Sequence, residues 1–176
     1  MHVGAEPGPV YGKNGKANLK DKIAGYNNAA KHAPWVVLVD LDQDADCAPP
    51  LRVGWVPTPG PQLCFRVAVR AVEAWLMADA EAVAAFLSVA HRKIPANPEG
   101  LVAPKEALVN LARASRRKQI RDDMVPREGS GRSIGPAYVS RLIEFASSHW
   151  RPAEAADRSD SLRRAIACLN NLANPA

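Results

Sequence analysis

Apolar and polar positions along this chain alternate mostly with helical spacing, and the exception is a five-residue apolar run, Trp35 to Val39, that leads into Asp40, Asp42, Asp44 and Asp46. A run this short and rich in valine predicts a buried strand, covered on both faces. Leu63 to Val69 is also β-rich and predicts another strand, and PVY at Pro9 to Tyr11 offers a short one near the start. Between them Leu19, Ile23 and Tyr26 recur at three- and four-residue spacing. That predicts a helix capped by Asn18 and running to about Ala30, with Pro34 ending the connection. The stretch CAPPLRVGWVPTPGPQ, with five prolines and two glycines, predicts irregular chain with at most a brief strand at Arg52 to Val56.

Helical patterning dominates the rest. Helices are expected from Arg70 to Asp79, from an Asp79 cap to about Ser88, and from Pro104 to about Asp122, with a loop from Ile94 to Ala103. Two more should follow, Pro136 to about Ser148 and Asp160 to about Leu172, the last capped by Ser159 or Asp160. The sum is an α/β chain: a small, mostly parallel sheet in residues 1–79, and a helical C-terminal extension in residues 80–176 packed on it as one structural unit.

Composition narrows the function classes. The chain has 176 residues, 47% of them hydrophobic, enough to bury a core, yet no apolar stretch approaches the roughly 20 residues of a bilayer span. The start lacks the basic and apolar regions of a signal peptide, so a cytoplasmic protein with no membrane partner is expected. Cys47, Cys64 and Cys168 are widely spaced, and His2, His32, His91 and His149 are scattered, which suggests neither a disulfide framework nor a zinc site. No internal repeat or paired histidine motif is present. The net charge of +5 is uneven: seven basic residues face three acids between Arg113 and Arg132. Arg116, Arg117 and Arg121 in that segment either contact a nucleic acid or decorate a solvated helix face.

Candidate chemistry centres on the aspartates. Side chains in a strand alternate faces, so Asp40 and Asp42 would share a face with Cα atoms roughly 6.6 Å apart, and two such carboxylates need a cation or a proton between them. Open α/β sheets place ligands at this end of their strands. The expectation is a magnesium or manganese site held by Asp40 and Asp42, with Asp44 or Asp46 as a further ligand; the plainer alternative is an acidic loop. An EF-hand is excluded, because Ala45 and Leu51 stand where its loop needs glycine and glutamate. Glu73 is a candidate third acid, or simply a glutamate suited to a first helical turn. Gly12 to Lys16 is not a Walker A loop, but Lys13 and Lys16 beside glycines either contact phosphate or form a turn. Arg127 and Arg132, in a glycine-rich stretch before a helix, either bind an anion or belong to a plain connector.

The segments VLVDLDQDAD, RVAVRAVEAWLMAD, PKEALVNLARAS and VPREGSGRSIGPAYVSRLIEFASSHW, in this order, resemble an uncharacterised bacterial family of the TOPRIM-like (topoisomerase-primase) group over nearly the whole chain. Asp40-Leu41-Asp42 looks like the TOPRIM D-x-D, and the EAWL around Glu73 like that family's own signature. The resemblance implies a small parallel Rossmann-like sheet and magnesium-dependent nucleic-acid phosphodiester hydrolysis. Asp40 and Asp42 would hold the metal, Glu73 would assist, and Lys13, Lys16, Arg127 or Arg132 would meet phosphate. It also implies an ATPase partner protein and a place in bacterial defence. The non-enzymatic alternative is a nucleic-acid-binding or ATPase-partner protein that keeps the fold. A TOPRIM domain carries a glutamate at the end of a first strand upstream of D-x-D, and Glu6 does not follow such a strand. The chain therefore reads as an N-terminally short version, with the strand expected between the two apolar strands missing and Trp35 to Leu41 left with an unpaired apolar edge.

Overall fold

The structure, a computed structural model, describes residues 6–11 and 15–174, so Lys13 lies outside the described residues. It is mixed α/β with a small parallel sheet, and it divides into two compact units: residues up to Val69 together with those from Ser161, and Arg70–Asp160.

The first unit opens with helix α1 (Lys16–Ala29), followed by strand β1 (Trp35–Asp40), helix α2 (Ala48–Trp55) and strand β2 (Leu63–Ala68). β1 and β2 pair directly and in parallel, from Trp35 beside Leu63 to Asp40 beside Ala68. No strand stands between them, which corrects the expectation of a vacant central position. A parallel pair needs a crossover, and α2 lies on it. That helix replaces the expected irregular chain and brief strand. Pro49 and Pro50 fall in its first turn, where the absent N–H groups cost no hydrogen bond. Pro9 to Tyr11 is not a strand either; the Tyr11 ring instead stacks on Trp35 with centroids 5.6 Å apart. Gly15, not Asn18, precedes the first turn of α1, so Asn18 sits inside the helix and caps nothing.

One face of the sheet carries the core: Val37, Val39 and Leu41 with Phe65 and Val67, closed by Ile23 of α1 and Leu51 of α2. The other face of β1 is not covered as a fully buried strand would be, since Val36 is 52% and Leu38 42% exposed.

The second unit is helical: α3 (Val72–Ala78), α4 (Ala80–Leu87), α5 (Pro104–Arg113), α6 (Lys118–Met124), α7 (Tyr138–Ser148) and α8 (Pro152–Ala156). Its core joins Met77, Leu87, Leu108, Ile120, Met124 and Phe145. The long helix expected through Asp122 breaks at Ser115, whose hydroxyl accepts the Arg117 N–H at 3.0 Å and gives the backbone a local alternative to helix. Asp79 caps α4 as expected, accepting the Ala82 N–H at 3.2 Å. It also takes three hydrogen bonds from Arg151: from the backbone N–H at 2.9 Å, Nε at 3.0 Å and Nη2 at 2.7 Å.

Helix α9 (Asp160–Ala173) returns the chain to the first unit. The Ser161 hydroxyl accepts the Val69 N–H at 3.3 Å, and the thiols of Cys64 and Cys168 are hydrogen-bonded. Burial first, and then Cys168, pushes the Cys64 thiol up to about 12. No helix of the described residues is long and apolar enough to cross a membrane.

Candidate functional site

Three groups of predicted residues find definite places, and each is set by local backbone. The strand ends at Asp40, although the Leu41 N–H still reaches Ala68 O at 2.9 Å. The chain then turns: Asp42 takes a left-handed φ of 51°, and the Asp44 N–H donates to Leu41 O at 3.2 Å. Aspartate tolerates that conformation better than most residues. Strand alternation therefore stops before Asp42, and the geometry that would have set Asp42 beside Asp40 does not apply. What the turn brings together instead is a ring of oxygens around the Lys16 ammonium. Nζ lies 3.0 Å from Asp42 Oδ2, 2.8 Å from Asp44 Oδ2 and 3.4 Å from Leu41 O, and it donates to Asp40 O as well. Burial works against the charged lysine, but the hydrogen bonds and charges of Asp44 and Asp42 outweigh it and hold the Lys16 pKa above its ordinary value. Asp46 is exposed.

Two carboxylates and two carbonyls are hard oxygen donors, the type that suits magnesium, manganese or calcium. The donor set fits a divalent ion on condition that Lys16 leaves, for both cannot hold the same centre. Among the described residues no three His, Cys, Asp or Glu side chains are grouped to hold a metal.

Glu73 belongs to the second unit. It sits in the first turn of α3, buried, and its Oε1 accepts the Tyr138 hydroxyl at 3.2 Å while Lys105 Nζ stands at 4.0 Å. Burial, then the Glu73 charge, raises the Tyr138 pKa well above the phenol range. Nothing in the sequence marks Tyr138, because it lies far along the chain from Glu73 and no spacing links them.

The arginines divide into two kinds. Arg116 Nε and Arg117 Nη1 reach Ser88 O and Phe86 O at 3.4 and 3.5 Å, and Arg121 Nη1 donates to Ser115 O at 2.6 Å. Their partners are carbonyls, and among the described residues no carboxylate pairs with them. Asp123, one of the few acids in this segment, is already spent on Arg141 at 2.6 Å. Arg127 and Arg132 line a cleft of about 390 Å³ with Ser130, Ile134 and Pro136. The two arginines are legible in the sequence, while the cleft's apolar wall carries no signal there. Compared with protein families, curated proteins and solved structures, the chain matches none of them.

Proposed function

We propose that this chain is a magnesium- or manganese-dependent nucleic-acid phosphodiester hydrolase, with a TOPRIM-like fold around its sheet. One observation carries the reading: four oxygens at the carboxyl end of β1 converge on a single cationic centre. Asp42, Asp44 and the carbonyls of Asp40 and Leu41 would hold the ion in exchange for Lys16, and Lys16 would then be available to phosphate. An ion held there would supply Lewis-acid chemistry, polarising a phosphoryl oxygen and lowering the pKa of a water. An ATPase partner and a role in bacterial defence belong to the same proposal.

The ion should reveal itself without turnover. Magnesium or manganese is expected to raise the melting temperature of the wild type, much less that of Asp42→Asn with Asp44→Asn, and more that of Lys16→Met, where the competing ammonium is gone. Metal-dependent cleavage of duplex DNA or RNA should be lost with the ion in Asp42→Asn with Asp44→Asn, and should fall in Lys16→Met for want of its phosphate contact. Identical melting shifts in all three proteins, with no cleavage product, would end the hydrolase reading.

A second reading, nucleic-acid binding without turnover, draws on the arginines whose charge no carboxylate among the described residues neutralises. Changing Arg116 and Arg117 to glutamine is expected to flatten the plot of log affinity against log salt, by about 0.9 for each duplex phosphate that is no longer neutralised. Arg121, half-buried and bonded to Ser115, is better left in place as part of the fold. An unchanged slope would remove Arg116 and Arg117 from the interface.

A further inference from the structure

The loop between α6 and α7 is a closed structure. Its ends are tied by the Gly135 N–H to Met124 O at 3.0 Å and by the Ala137 N–H to Asp123 O at 2.9 Å. Inside it, the Ser130 N–H donates to Arg127 O at 3.1 Å, and Gly129 and Gly131 take positive φ of 73° and 64°. Those glycines let the chain double back, so that Arg127 and Arg132 line the same cleft. Both arginines are exposed, and among the described residues neither guanidinium makes an ion pair or a hydrogen bond, unlike those of Arg141 and Arg151, while the Arg132 backbone N–H donates to Ser130 Oγ at 3.4 Å. Glu128 is the one acid of the loop, and it does not line the cleft.

We propose that this cleft binds the terminal phosphate monoester of a nucleotide, with the phosphate on Arg127 and Arg132 and the nucleoside against Ile134 and Pro136. Two guanidinium groups carry two positive charges. A phosphate monoester carries about −1.5 to −2 near neutral pH, whereas a backbone diester carries one and would leave a cation uncompensated. Guanidinium is also the group best matched to phosphate oxygens, and the Ser130 hydroxyl adds a donor. The volume points the same way, because about 390 Å³ falls in the range of small-molecule sites and far exceeds what a bare phosphate fills. The monoester has two possible sources, a free nucleotide or the 5′ end of a strand. The inference rests on the phosphate role given above to these arginines, and it does not depend on the metal.

The test is calorimetric titration of the full chain, without divalent metal, using AMP, adenosine, inorganic phosphate and a dinucleoside monophosphate with a 5′ hydroxyl. AMP is expected to bind at least about tenfold more tightly than each of the others, and Arg127→Gln with Arg132→Gln to lose at least about tenfold for AMP at an unchanged melting temperature. Trinucleotides with and without a 5′ phosphate identify the source: a preference for the phosphorylated one assigns the cleft to strand ends, and binding of AMP alone assigns it to free nucleotide. Equal affinity for monoester and diester, phosphate binding as tightly as AMP, or full AMP affinity in the double variant would each overturn the inference. Metal-dependent cleavage and salt-sensitive duplex binding, measured on the same variant, report separately on the hydrolase reading.

Discussion

Replacing Asp79 with alanine is expected to lower the stability of the second unit by about 3 kcal/mol, the cost of a lost helix cap and of a second backbone donor left without its acceptor. The carboxylate is 2% exposed, and it serves two structures at once. On one side it caps α4 through the Ala82 N–H, a role typically worth about 1 kcal/mol; on the other it accepts the backbone and guanidinium of Arg151. Alanine would leave two backbone donors without their acceptor. The melting temperature should fall by roughly 10 to 20 °C, and Asp79→Asn, which keeps the cap, should fall less. Burial by itself would raise this carboxyl's pKa, but the Arg151 side chain and the N–H groups of Ala82 and Arg151 bring it below the usual aspartate value. A depressed folded pKa gives stability that is present above the unfolded value near 3.9 and is lost as pH falls through the folded one. The gap between wild type and Asp79→Asn should therefore close below about pH 3.9. A gap of constant size in acid would show that the charge contributes nothing.

Gly135→Ala is expected to be nearly as damaging, by about 3 kcal/mol, and to open the arginine loop as well. A Cβ at this position would come closer than 3.0 Å to backbone atoms of Asp123, Met124 and Val125, and a backbone cannot swing aside as a long side chain does. The two hydrogen bonds that tie the loop's ends to α6 would have to stretch. At Gly129, where nothing lies within 4 Å, alanine meets only the positive φ, and the expected cost is about 1 kcal/mol. Comparing the melting curves of the two variants checks the argument. Equal losses would mean that backbone crowding at Gly135 is relieved without strain.

Much of this architecture is written in local pattern. The valine-rich run gives β1, Asp79 announces the helix it caps, and α9 follows its periodicity almost to the residue. What local pattern misses depends on position within an element or on distant partners. Pro49 and Pro50 look like helix breakers until it is clear that they occupy a first turn, and Ser115 interrupts an otherwise helical sequence with one side-chain hydrogen bond. In the candidate site, the acidic cluster is legible as a place that needs a cation. Which cation the fold supplies is not, because Lys16 reaches Asp42 and Asp44 only after α1 and β1 have packed together. The same holds for Glu73, whose burial beside Tyr138 is a tertiary fact.

The return of α9 has a consequence for the order in which the molecule is made. A ribosome delivers the strands and then all of Arg70–Asp160 before Ser161 and Cys168 emerge to meet Val69 and Cys64. The second unit is contiguous in the chain and has its own core, so nascent chains can fold it as soon as it clears the exit tunnel. The first unit, begun earlier, must wait with β2 incompletely covered until the last helix has been synthesised.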